Sequence, residues 1–158
     1  MKALNIFLPL LFISLITSLT SCKKKCVLDS DTINSGSIIK NVVFYPSSGF
    51  ITANMGGDYM INASHQHAGD LQVSINGSAK KDVNYNDYTV LCYPVSSKCN
   101  AAFDRTVTVD NTNQTVSYKI VVTQCGDCEE QRTTENYVLV PAIPSNYIPI
   151  YDVTFIEK

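Results

Sequence analysis

The sequence predicts an all-β protein, and three observations carry that prediction. Short apolar runs rich in Val, Ile, Thr, Tyr and Phe recur along most of the chain. Gly, Pro, Asn and Asp separate these runs, as they do at turns between strands. No segment keeps the 3.6-residue apolar period of an amphipathic helix. With 158 residues, the chain is long enough for one domain around one core.

The predicted strands follow one another at the spacing of an antiparallel β-sandwich, immunoglobulin-like or related to that fold. In chain order they cover residues 38–45, 50–55, 59–64, 71–75, 88–93, 103–109, 115–124, 137–140 and 150–156. Residues 26–37 are polar and small and precede the first strand, so we expect them to form a tether.

One hairpin has a register that can be set from the sequence. Apolar side chains occupy alternate positions on both sides of the turn at residues 110–114. The predicted cross-strand pairs are Val109 with Val116, Val107 with Tyr118, and Phe103 with Val122. A shift by one residue would turn the whole apolar set outward.

The N-terminus has the layout of an export signal. Lys2 is followed by an apolar run over residues 4–16, which contains Pro9 and is shorter than the roughly 20 residues of a spanning helix. The sequence Leu-Thr-Ser-Cys then occupies residues 19–22. An ordinary signal peptide with a chance cysteine is the alternative interpretation.

This segment resembles the lipobox of bacterial lipoproteins, in which an aliphatic residue and two small residues precede a cysteine. The resemblance implies cleavage by signal peptidase II before Cys22 and membrane anchoring by lipid chains, palmitate among them, on that cysteine. Lys23 stands where an Asp retains some lipoproteins at the inner membrane. The resemblance therefore favours the outer membrane of a Gram-negative bacterium, with the domain facing the periplasm or the cell surface.

Three segments follow from these features: a signal peptide at 1–21, a lipid-anchored tether at 22–37, and a single sandwich domain at 38–158. Three lysines follow Cys22, whereas the chain from Cys26 onward has eight Lys and Arg against fourteen Asp and Glu, a net charge of −6. Basic residues near anionic headgroups favour membrane association. Only 16% of all residues are charged and no basic stripe is present, which argues against a nucleic-acid partner.

The remaining cysteines predict structural disulfides, because exported domains lie where disulfides persist. Cys26 falls in the tether and is the odd one of five. Cys92, Cys99, Cys125 and Cys128 fall at the ends of predicted strands whose alternating directions bring the two cysteine-bearing loops to one end. We expect Cys99 to bond to Cys125 or Cys128, and Cys92 to bond to the other.

Two alternatives for these cysteines stay open. Four thiolates are a possible zinc site, although only the spacing of Cys125 and Cys128 is usual for zinc ligands. The same Cys-Gly-Asp-Cys stretch is a possible thiol-redox pair. Glu129 and Glu130 follow it, however, and negative charge raises the pKa of a thiol rather than lowering it.

His65, His67 and Asp70 form the only other metal-like cluster in the sequence. Histidines at positions i and i+2 face the same way on a strand. These two lie between predicted strands and before Gly69, so a solvated loop is the competing interpretation. They are also the only histidines in the chain, so only these two could serve in a Ser-His-Asp catalytic triad.

Tyrosines supply the last candidate site. Tyr85, Asn86, Tyr88 and Tyr93 lie around one predicted strand, and aromatic rings beside amides are a common way to hold a sugar. Tyrosines of a core or a sheet edge are the alternative interpretation.

The function predicted from the sequence is that of a non-catalytic, lipid-anchored envelope protein, acting as a binding or structural module with an envelope protein or glycan as partner. It resembles the small uncharacterised envelope lipoproteins, and no cofactor is expected. A carbohydrate-binding surface lipoprotein is one alternative, and a thiol-redox or metal-binding protein using Cys125 and Cys128 is another.

Overall fold

A computed structural model describes residue 28 and the ranges 32–47, 59–126 and 130–158. The predicted signal peptide, Cys22, Cys26, Cys128 and the predicted strand at 50–55 lie outside the described residues. Within these ranges the chain forms ten strands and a 3-10 turn at Ala68–Asp70. The strands are β1 (Thr32–Gly36), β2 (Val42–Pro46), β3 (Met60–Ile61), β4 (Leu71–Ile75), β5 (Lys81–Asp82), β6 (Tyr88–Lys98), β7 (Ala101–Asp110), β8 (Thr115–Gln124), β9 (Gln131–Pro141) and β10 (Ile148–Glu157).

The strands form three sheets. The outer sheet has the order β1-β7-β8-β10, the central sheet β3-β6-β9, and the small sheet β2-β4-β5. The all-β sandwich prediction is confirmed. The outer sheet is mixed rather than purely antiparallel, because β1 runs parallel to β7 and β10 runs parallel to β8.

The predicted hairpin is the β7–β8 pair, and its register is confirmed at every predicted position. The observed pairs are Val109 with Val116, Val107 with Tyr118, and Phe103 with Val122. The turn is held by Asp110, whose carboxylate accepts hydrogen bonds from the backbone N–H groups of Thr112 and Asn113 at 2.9 and 3.0 Å. A short acidic side chain at this place is a common way to close a turn.

Two hydrophobic cores lie on the two faces of the central sheet. Leu91 and Val138 point into the first core, against Val107, Tyr118 and other residues of the outer sheet. Their strand neighbours point the other way: Val90, Cys92 and Leu139 lie in the second core with Leu71 and Val73 of the small sheet. Both faces of the central sheet are therefore buried, and residues 89–92 of β6 are buried without interruption.

The chain crosses between the outer and central sheets at one end of the sandwich. One crossover joins β6 to β7 through Cys99 and Asn100, and the other joins β8 to β9. The two crossovers are hydrogen-bonded, because the Cys125 N–H donates to Asn100 and the Cys99 N–H donates to Glu130, at 3.2 and 2.9 Å. The predicted meeting of these two cysteine-bearing segments is thus observed.

Part of the predicted tether is a strand, which corrects the boundary at residue 37. β1 pairs with β7 from Thr32 to Gly36. Gly36 has a φ of +85°, and a Cβ there would lie 1.9 Å from the carbonyl oxygen of Val107. Only glycine allows so close an approach, so a residue that suggested flexibility marks a contact between strands.

Several strand boundaries also differ from the prediction. The run at 38–45 contributes a strand only from Val42, the run at 59–64 only Met60–Ile61, and the polar strand β5 was not predicted. β6 continues through Pro94, which pairs with Glu135 of β9. The Cys92 N–H donates to Tyr59 at 3.0 Å, which shows that the N–H of Cys92 points toward β3. Pro94 lies two residues further along, so an N–H at its position would point to the same side. The proline therefore removes no hydrogen bond to β9.

Candidate functional site

The two histidines lie in a compact turn between β3 and β4. His67 Nδ1 is 2.7 Å from the carboxylate of Asp70, and His67 Nε2 is 3.2 Å from the side-chain nitrogen of Gln66. His65 Nδ1 accepts a hydrogen bond from the backbone N–H of His67 at 3.1 Å. These bonds are all local, and they stabilise the turn that leads into the 3-10 turn at Ala68–Asp70.

The same contacts argue against the predicted metal cluster. A histidine binds a metal through a nitrogen lone pair, and here His65 Nδ1 and both ring nitrogens of His67 are engaged in hydrogen bonds within the turn. In the described ranges, no group of three or more His, Cys, Asp or Glu side chains is placed to hold a metal ion. The interpretation of His65, His67 and Asp70 as metal ligands is therefore corrected: they form a hydrogen-bonded turn.

The predicted glycan platform is divided between the two cores. Tyr85 and Tyr88 pack against the second core. Tyr93 lies in the first core, on the opposite face of the central sheet, because it is an odd number of residues from Tyr88 on the same strand. Asn86 is exposed and its backbone N–H donates to Asn84. The prediction that these four residues form one surface is wrong.

Tyr93 belongs instead to a tyrosine cluster at the edge of the first core. Its ring stacks on Tyr151 with centroids 4.9 Å apart, and Tyr59 meets both rings edge-on at 5.0 and 5.7 Å. Such pairs add packing energy beyond the buried area. The alternative interpretation of Tyr93 as a core or edge tyrosine is the one the structure supports.

Tyr85 is the most unusual of the predicted residues. Its hydroxyl is buried and has no hydrogen-bond partner among the described residues. Burial, followed by the nearby Cys92 and Asp70, raises the pKa of Tyr85 to about 12. The side chain is partly buried and packs against the second core.

Cys92 is a thiol in the interior of the protein, which corrects its predicted disulfide. It lies in the middle of β6, fully buried in the second core, and its Sγ–H donates to the carbonyl oxygen of Tyr59 at 3.7 Å. It is seven residues from Cys99 along one strand, a span of roughly 23 Å at about 3.3 Å per residue. The predicted four-cysteine cluster therefore does not form, and neither does its zinc variant.

Cys99 and Cys125 are both disulfide-bonded. They lie in the two neighbouring crossovers, which are joined by backbone hydrogen bonds. Whether Cys99 is joined to Cys125 or to Cys128 stays a prediction, because Cys128 lies outside the described residues. The redox interpretation of Cys125 and Cys128 stays a prediction for the same reason.

A cleft that the sequence did not indicate lies beside the histidine turn. It has a volume of about 320 Å³. Its walls come from two distant stretches of chain, and they are formed by Met60, Asn62, Ser64, His65, Ser145, Tyr147 and Pro149. Because these residues come from two stretches that lie far apart in the sequence, no local motif reveals them; only His65 was a predicted site residue.

The polar groups of the cleft are held in place by short bonds. Asn62 Oδ1 accepts hydrogen bonds from the N–H and the hydroxyl of Ser64, at 3.1 and 2.7 Å. The Tyr147 hydroxyl is 2.9 Å from the side-chain oxygen of Asn111 and donates to it. The Tyr147 oxygen keeps lone pairs for accepting a further hydrogen bond. The cleft therefore combines fixed polar groups with two apolar walls, Met60 and Pro149.

Comparison with protein-family models, curated proteins and solved structures finds no match to this chain. Helices capable of crossing a membrane do not occur in the part of the chain that the structure describes.

Proposed function

We propose that this protein is a lipid-anchored envelope protein that acts as a non-catalytic binding module, with the cleft beside the histidine turn as its ligand site. The observation that carries the binding proposal is the cleft, which brings polar groups from two separate stretches of chain to one concave surface. Ligand sites are typically concave, with apolar walls and a few placed polar groups.

The chemistry of the cleft favours a small, neutral, hydroxyl-rich ligand. The lining offers an amide, two serine hydroxyls, a tyrosine hydroxyl and an imidazole, and it contains no Asp, Glu, Lys or Arg. Sugar hydroxyls both donate and accept hydrogen bonds, which suits such a lining. We therefore propose this cleft as the carbohydrate site, in place of Tyr85, Tyr88 and Tyr93, which the central sheet separates.

The anchor is supported by the lipobox-like residues 19–22 and by the lysines after Cys22. Mass spectrometry of protein purified from membranes tests it. We expect an N-terminal Cys22 carrying diacylglycerol and an acyl chain, and we expect Cys22→Ser to accumulate as unprocessed or unanchored protein. A mature protein with an intact, unmodified Cys22 would refute the anchor.

Ligand binding is tested separately, by ligand-observed NMR with a panel of neutral mono- and disaccharides. Ser145 is exposed at the cleft, so Ser145→Trp should fill it and abolish binding. Asn86→Trp is the matched control on an exposed residue of the former candidate site. Binding lost in Asn86→Trp but kept in Ser145→Trp would place the site elsewhere, and silence across the panel would reject the sugar class.

A further inference from the structure

The outer sheet ends in an exposed apolar strand. β10 lies at the edge of that sheet and pairs with β8 along all ten of its residues, without a bulge. Six large hydrophobic residues are exposed in the described ranges, and four of them lie on β10: Ile148 (64%), Ile150 (47%), Phe155 (48%) and Ile156 (45%). The other two, Val43 and Tyr45, lie on β2.

The hydrogen bonds at both ends of β10 show which backbone groups face the open edge. Ile148 donates to Gln114 at 2.9 Å and Lys158 donates to Gln124 at 3.0 Å, so the even-numbered residues bond toward β8. The odd-numbered residues 149–157 therefore direct their N–H and C=O groups away from the sheet. Pro149 is the one residue among these five without an N–H.

In the part of the chain that the structure describes, this edge carries few of the features that usually prevent pairing. Natural edge strands are blunted by charges, prolines or bulges. On β10 the proline is at the start and Asp152 is the one charge before Glu157, so residues 153–156 present an uncharged run (Val-Thr-Phe-Ile). An unbroken edge of this kind is a template for another strand.

We propose that β10 pairs antiparallel with β10 of a second copy of this chain, around a two-fold axis at Val153. The resulting sheet runs continuously through eight strands, four from each copy. In this register the facing pairs are Val153 with Val153, Tyr151 with Phe155, Pro149 with Glu157, Ile150 with Ile156, and Asp152 with Thr154. All four outward N–H groups, those of residues 151, 153, 155 and 157, then meet a carbonyl of the partner copy.

The side chains select this register over its neighbours. Alignment of the outward backbone groups allows only shifts that keep odd residues opposite odd residues. An axis at Asp152 places two carboxylates face to face, which is destabilising. An axis at Thr154 sets Asp152 against Ile156. Only the axis at Val153 pairs isoleucine with isoleucine and aromatic with aromatic.

A second copy suits this edge better than a different partner because the strand is self-complementary. A symmetric antiparallel pair uses the same edge of both copies, so the contact closes at two copies. The four exposed hydrophobic side chains offer roughly 400 Å² per copy, about 800 Å² for the pair, so the contact lies at the small end of interface sizes. Covalent trapping is the appropriate measurement for an interface of this size.

The pairing also reaches the cleft. Pro149 lines the cleft and lies opposite Glu157 of the second copy in this register. Glu157 is bonded to Lys98 at 3.0 Å, so each copy brings this ion pair to the mouth of its partner's cleft. The pairing rests on β10 alone and stands whether or not the cleft binds a sugar.

Disulfide trapping tests the register directly in full-length protein. Asp152 and Thr154 form a non-hydrogen-bonded pair with Cα atoms about 4.5 Å apart, within the reach of a disulfide. Two differently tagged copies, one with Asp152→Cys and one with Thr154→Cys, are produced together and separated on non-reducing gels. We expect a mixed dimer at least tenfold above the level seen with either variant alone or with wild type.

Substitutions of exposed residues provide a second test of the β10 pairing. Ile150→Lys and Ile156→Lys, added to the trapping pair, should reduce the mixed dimer at least tenfold, whereas Val43→Lys on β2 should leave it unchanged. These side chains are exposed, so folding is retained. Absence of the mixed dimer, equal trapping by Asp152→Cys alone, or trapping of a different protein would each overturn the proposal.

Discussion

Arg105 donates two hydrogen bonds from its guanidinium to the side-chain oxygen of Asn136, at 3.0 and 2.7 Å, and so links the outer sheet to the central sheet. Asn136 is fully buried, and its amide nitrogen donates to the carbonyls of Tyr93 and Thr134 at 3.3 and 3.0 Å. One amide thus serves three groups inside the first core. Polar networks of this kind stabilise only when every member is satisfied.

Replacing this amide should be costly. Asn136→Ala removes the donor to two carbonyls and the acceptor for Arg105, and we expect it to lower the free energy of unfolding by about 2–4 kcal/mol. Asn136→Asp keeps the acceptor for Arg105 and should be intermediate. Urea denaturation measures both, with the exposed Asn86→Ala as a control expected within about 0.5 kcal/mol of wild type. Equal effects of Asn136→Ala and Asn86→Ala would contradict the network.

Alkaline pH should destabilise the protein through Tyr85. Its pKa is raised from 10.0 to about 12, so the unfolded chain releases this proton at a lower pH than the folded protein does. The stabilisation that the protonated Tyr85 contributes is therefore complete below pH 10, and it is lost as the pH rises toward about 12. Tyr85→Phe keeps the ring and should weaken this pH dependence.

The measurement for Tyr85 is thermal unfolding at several pH values between 9 and 12, roughly the window set by the two pKa values. The hydroxyl has no partner among the described residues, so Tyr85→Phe should be as stable as wild type at pH 8. A variant with the same alkaline slope as wild type would show that this hydroxyl does not titrate as proposed.

The cysteines should divide into two chemical classes. Cys92 should react with iodoacetamide only after unfolding, since it is a buried thiol. Cys99 and Cys125 should react only after reduction. Peptide mapping under non-reducing conditions reads both classes and also identifies the partner of Cys99. Cys99→Ala should cost about 2–4 kcal/mol of stability, as expected for a lost native disulfide.

Acid pH should loosen the β7–β8 turn. Hydrogen bonds from the backbone and side chain of Asn113, and from the backbone of Thr112, lower the pKa of Asp110. Because the pKa of Asp110 is lowered in the folded protein, its ionised carboxylate stabilises the fold at pH values above its ordinary pKa. This stabilisation is lost as the pH falls through the pKa of the folded state. Asp110→Ala should lower Tm at pH 7 and flatten the acid side of the stability profile. An unchanged Tm would show that the turn does not need its carboxylate.

The parts of the fold that could be predicted are those in which side chains alternate. Val107 and Val109 face Tyr118 and Val116 as predicted, because one face of that hairpin is buried and the other is not. The central strands could not be placed so well, since β6 is buried on both faces over residues 89–92 and carries no alternation to read.

The site could be predicted only in fragments. The predicted strand at 88–93 was too short, whereas β6 continues through Pro94, whose missing N–H faces the side of β6 away from β9. The split of Tyr88 from Tyr93 follows from the alternation of side chains along that strand. The cleft depends on Asn62, Ser145 and Tyr147 meeting across the fold, which local sequence does not encode.

The order of strands in the outer sheet sets the order in which the chain can fold. β7 and β8 are adjacent in sequence, whereas Thr32 of β1 pairs with Asp104 and Ile148 of β10 pairs with Thr115. Contacts between residues distant in sequence form slowly, because the chain loses entropy in closing a large loop before the contacts can stabilise the structure. The hairpin is therefore the natural nucleus of the sheet. A chain that emerges N-terminus first must hold β1 unpaired until β7 has followed it.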